Sequence, residues 1–126
     1  MLRSVPWLFA FGLFGAGCVH PDYTEPVGGE CFYRHEGPTT RDILCPKGEV
    51  PTIVTAYAHD HNFVVAKQTP GRQSTLYSKY HTYPRPRGTY YWIIDHRAAT
   101  IDGPLSAPEY AEARARLGIP DDLTLD

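Results

Sequence analysis

Residues 90–120 read YYWIIDHRAATIDGPLSAPEYAEARARLGIP, and the fold follows from how this stretch divides. The run from 89 to 95 is aromatic and β-branched. It follows the breakers Pro84-Arg85-Pro86-Arg87-Gly88, so it reads as a strand. Successive strand side chains point to opposite faces, which puts Tyr91 and Ile93 on one face and Tyr90, Trp92 and Ile94 on the other. Both faces are apolar or amphipathic. This predicts a central strand with a helix over one face and a partial cover over the other.

After a short polar bend and Gly103-Pro104-Leu105, the helix is marked at both ends. Ser106 is a good N-cap, because its hydroxyl can accept from a free first-turn N–H. Glu109 completes a capping box, and Pro108 sits in the first turn, where a missing N–H costs nothing. Tyr110, Ala113, Arg114 and Leu117 form a narrow buried stripe at helical spacing. Gly118 suits a left-handed end, Ile119 can pack back on the last turn, and Pro120 blocks continuation. Arg114 and Arg116 complement the C-terminal dipole and Glu109 the N-terminal one.

Working outward, residues 52–58 and 63–68 are β-rich and read as a hairpin joined by His59-Asp60-His61-Asn62. Together these elements predict an α+β domain, an antiparallel sheet of about four strands packed on one C-terminal helix.

The residues Tyr91-Trp92-Ile93-Ile94-Asp95, Gly103-Pro104-Leu105, Glu109-Tyr110 and Arg116-Leu117-Gly118-Ile119-Pro120 resemble the C-terminal signature of a family of small bacterial lipoproteins. That family is classed as a domain of unknown function. Tyr57-Ala58 and Ala66-Lys67-Gln68 are similar to its central hairpin. The resemblance runs from Val50 onward. It implies a fold and an envelope setting, and it assigns no catalytic residue.

The first residues read as a targeting segment over 1–17. Arg3 gives a positive start, and the apolar run of residues 5–15 is too short to span a bilayer as a helix. Gly15-Ala16-Gly17-Cys18 follows and resembles a lipobox, which implies lipid attachment at Cys18. The other reading is secretory cleavage nearby. Residues 18–30 lack periodicity and carry Pro21, Pro26, Gly28 and Gly29, so they read as a tether, leaving 31–126 as one domain. The expected location is the bacterial envelope, anchored by lipid, with the outer membrane favoured by Val19.

Of three cysteines, Cys31 and Cys45 remain once Cys18 is assigned. In an oxidising compartment they read as a disulfide closing a loop of roughly fifteen residues, a stabilisation of about 3 kcal/mol. A Cys/His pair with His35 is the alternative, poorly matched to zinc-ligand spacing. The segment between them reads as loop, with a short strand over residues 31–34.

The chain has 126 residues and a net charge of −2, which gives no overall footprint for nucleic acid. Apolar residues make up 42%, enough for a packed core. Charge is nevertheless one-sided: no Asp or Glu lies between His61 and Ile94, while Lys67, Arg72, Lys79, Arg85 and Arg87 do. With Tyr77, Tyr80 and Tyr83 interleaved, residues 70–88 read either as a surface for an anionic envelope polymer or another envelope protein, or as a solvated crossover loop. His59 and His61 form a weak metal-ligand pair that needs a third ligand, with His81, His96 or Asp95 as candidates; the alternative is an ordinary hairpin turn. Asp95 and His96, adjacent on a strand, face opposite sides and make no acid–base dyad. No G-x-S-x-G, P-loop or H-E-x-x-H occurs, and no cofactor is implied. The expectation is a non-enzymatic, lipid-anchored binding or structural module. A periplasmic metal or small-ligand binder is second and a secreted hydrolase third.

Overall fold

The structure, a computed structural model, describes residues 21–71 and 88–126. The targeting segment, Cys18 and the run carrying Arg72, Tyr77, Lys79, Tyr80, His81, Tyr83, Arg85 and Arg87 lie outside the described residues.

Among the described residues eight strands form two antiparallel four-stranded sheets, and a single described helix follows them. The first sheet contains β1 (Tyr23–Gly28), β2 (Cys31–Glu36), β3 (Thr40–Cys45) and β4 (Gly48–Val50) in that order. The second contains β5 (Val54–His59), β6 (Phe63–Gln68), β7 (Tyr90–Asp95) and β8 (Thr100–Leu105), followed by α1 (Ala107–Leu117). The α+β class holds, and the sheet under the helix has the expected four strands.

The first sheet is the departure from the sequence reading. The expected tether over 18–30 is corrected, because Tyr23–Gly28 is an edge strand paired with β2. The expected loop between the cysteines is corrected likewise: Thr40–Cys45 pairs along its length with β2 and places Arg41, Ile43 and Cys45 on the inner face. These strands are short, and charged residues (Glu25, Arg34, Glu36, Arg41, Asp42, Glu49) are set among their apolar ones. Their apolar content becomes sufficient only when the second sheet covers one face. Thr100–Leu105, expected as a bend before Gly103-Pro104-Leu105, is strand β8. Gly103 is required there, since a Cβ would approach the Trp92 indole to 2.5 Å.

The register of β6 and β7 explains both cores. Val65 pairs with Ile93 and, with Phe63, packs against Ala113, Ile119 and Leu123 beneath the helix. Val64, Ala66, Trp92 and Ile94 point the other way and pack on Val27, Tyr33, Ile43 and Val50 of the first sheet. The central strand β7 is therefore buried on both faces, which accounts for its lack of polar alternation.

The helix ends follow the sequence reading. Ser106 Oγ accepts from Glu109 N at 3.2 Å, and Glu109 Oε1 accepts from Ser106 N at 2.8 Å. Gly118 closes the helix in the left-handed region with φ 70°. Arg114 donates to Leu123 O at 2.6 Å and Pro120 O at 2.8 Å, tying the tail to the helix while Ile119 and Leu123 bury beside it. No described helix is long and apolar enough to cross a membrane.

Candidate functional site

Two surfaces bring polar side chains together across the two sheets. The first is a cleft at the turn end of the fold. The Cys31–Cys45 bridge joins facing positions of β2 and β3, with Cα atoms 4.2 Å apart. It confirms the expected pairing and excludes the Cys/His alternative with His35. The bridge, Ile94 and Ile101 floor a cleft of about 250 Å³, with Glu30, Lys47 and His96 at its margin. His96 stands against the β1–β2 turn, its Nε2 lying 2.9 Å from Val27 O. The imidazole occupies the space where a side chain at 29 would go, so Gly29, at φ 57°, is needed for both its backbone and its missing Cβ.

The second surface is an aromatic corner where β1 and β2 meet β5. Cross-strand pairing sets Tyr23 opposite His35 and Glu25 opposite Tyr33. Tyr23 stacks on His35 at 5.1 Å between ring centroids, and Tyr33 stacks on Tyr57 at 4.3 Å. Tyr57 donates its hydroxyl hydrogen to Glu25 Oε1, and His59 Nε2 lies 4.0 Å from Glu25 Oε2. Burial first, and then the hydrogen bond to Glu25, hold the Tyr57 phenol well above its ordinary pKa. Burial raises that of Tyr33 also. Both phenols therefore stay protonated and able to donate across the neutral range.

The sequence-predicted residues divide accordingly. His59 turns to Glu25, while His61 is exposed at the hairpin turn shaped by Asp60, whose Oδ1 accepts from Asn62 N and Phe63 N at 2.8 Å. Among the described residues no three His, Cys, Asp or Glu side chains converge to hold a metal ion. Asp95 and His96 diverge as expected. Asp95 Oδ1 accepts from Arg97 N at 2.9 Å and from Arg97 Nε at 3.1 Å, and these contacts keep its carboxyl below the usual range. The aromatic corner was not foreseen. Its members come from strands read as tether, loop and hairpin, and the faint signal was the alternation Tyr23-x-Glu25 and Tyr33-x-His35 at period two.

Fold and surfaces together define a small disulfide-bridged α+β domain, two stacked sheets closed by a C-terminal helix, with a cleft and an aromatic corner among its described surfaces. The chain belongs to the family described as a protein of unknown function, DUF3997, whose model matches residues 37–126. That match takes in β3, β4, the whole second sheet and the helix, and it begins upstream of Val50, where the sequence resemblance begins. No curated protein and no solved structure matches the chain.

Proposed function

We propose that this protein is a lipid-anchored lipoprotein of the bacterial envelope whose folded part is a non-enzymatic binding or structural module. The observation that carries the reading is a pairing of features. An apolar run ends in Gly15-Ala16-Gly17-Cys18, and the domain that follows holds a Cys31–Cys45 bridge suited to an oxidising compartment. A multiply acylated Cys18 anchors stably, since two or more chains suffice. Because β1 opens at Tyr23, the intervening chain spans at most about 18 Å, and the domain sits close to the bilayer.

The partner is an anionic envelope polymer or another envelope protein. The acid-free run between His61 and Ile94, with Lys67, Arg72, Lys79, Arg85 and Arg87, supports this reading by charge. Mass analysis of the N-terminal peptide from a membrane fraction is the test. A diacylglycerol-modified Cys18, with Cys18→Ser moving the chain to the soluble fraction, is expected. An unmodified chain cut elsewhere overturns the anchor. For the partner, the soluble Cys18→Ser chain should sediment with isolated cell wall or anionic vesicles, and charge reversal at Arg85 and Arg87 should release it. Failure of the chain to sediment with either overturns that part.

A further inference from the structure

The aromatic corner extends to a third strand. His35 on β2 pairs with Arg41 on β3 as well as with Tyr23 on β1, so Tyr23, His35 and Arg41 form one row across three strands. The Nε of Arg41 is buried, and among the described residues no group accepts from it. No described ion pair involves this side chain either. The contrast with the neighbouring strand position is sharp. Arg34 is held by Asp42 through two hydrogen bonds of 3.0 and 2.8 Å. Leaving a buried N–H of a charged group unpaired is costly, and the partner that fits a guanidinium best is a planar carboxylate.

The other end of the row offers a different chemistry. Tyr23 is 49% exposed although large and aromatic, and its ring is braced from behind by His35. A braced, half-exposed ring is a platform for the C–H face of a saturated ring. Below the row stand groups that serve hydroxyls: the Glu25 carboxylate and the Tyr33 hydroxyl, which lies 3.5 Å from His35 Nδ1. With neighbouring strands about 4.8 Å apart, the distance from Tyr23 to Arg41 is roughly 10 Å, the reach of one sugar ring with a carboxylate attached.

We infer that this corner binds a carboxylate-bearing sugar, its carboxylate on Arg41 and its ring over Tyr23 and His35. The inference rests on the binding-module reading above and names the chemistry of the anionic polymer. A neutral sugar offers the Arg41 guanidinium no carboxylate, and a bare anion makes no use of the ring platform.

The test is titration of the full chain in detergent micelles with D-glucuronate, D-glucose and acetate, followed by calorimetry and by the His35 ring signals in NMR. Glucuronate should bind about ten-fold or more tighter than either control and shift the His35 signals. Arg41→Gln and Tyr23→Ala should each weaken it by at least about ten-fold. Tyr23 is half-exposed, so its variant keeps the fold and the test stands even where Arg41→Gln does not fold; thermal melting reports which. Equal binding of acetate makes the corner a simple anion site and overturns the sugar assignment. Absence of glucuronate binding, or binding indifferent to both variants, overturns the site. The lipid anchor is read separately from the mass of the same sample, so failure of one reading is distinct from failure of the other.

Discussion

The indole Nε1–H of Trp92 donates to Gln68 Oε1 at 2.7 Å in the core between the sheets, and Gln68 Nε2 donates in turn to Thr52 O at 3.0 Å. Gln68 is fully buried, and this relay ties β6, β7 and the segment ahead of β5 together. Gln68→Leu keeps the volume while leaving an indole N–H and a carbonyl without these partners. It should cost about 2–4 kcal/mol, seen as a lower urea midpoint with an unchanged slope.

Asp95 is 5% exposed, and its carboxyl is held below the usual range chiefly by the Arg97 side chain. A carboxylate depressed in the folded state contributes stability above its unfolded pKa of about 4, and that contribution is lost as pH falls through the lower folded value. Melting temperature should therefore drop on acidification below about pH 4 more steeply in the native protein than in Asp95→Asn. Parallel curves for the two would contradict the assignment.

Gly29 leaves room for the His96 ring at the lip of the cleft. Gly29→Ala meets both a left-handed backbone and the imidazole, and should destabilise by about 1–3 kcal/mol. His96→Ala combined with Gly29→Ala should recover the steric part, so the two effects should be non-additive in a thermal-melting cycle.

The Cys31–Cys45 bridge closes a short loop that is itself a hairpin. Cys31→Ser with Cys45→Ser should cost about 3 kcal/mol on the chain-entropy account. Reductant should lower the native melting temperature to about that of the double variant and leave the double variant unchanged.

The end of the helix shows how local signals translate. Ser106, Glu109 and Gly118 act through groups within four residues of themselves, so their roles are visible in any sequence that contains them. The faces of β7 are legible for the same reason, since alternation is a property of one strand. What covers those faces is not. Nothing in residues 90–95 says that Trp92 and Ile94 meet Val27 and Ile43, more than forty positions away.

The first sheet marks the boundary. Tyr23–Gly28 contains Pro26 and runs into Gly28-Gly29, which locally favours turn and tether; as an edge strand it tolerates a proline because only one side is paired. The aromatic corner lies further beyond local reach. Glu25 and Tyr57 are 32 positions apart, and Arg41 gains its place beside them only through two cross-strand registers. The sequence by itself determined the α+β class, the helix limits, the central strand and the disulfide, because each is encoded in short-range spacing or in a count of cysteines. Only the tertiary structure decided that residues 23–50 form a second sheet and that Tyr23, His35 and Arg41 share one row, because strand register depends on burial that no single segment carries.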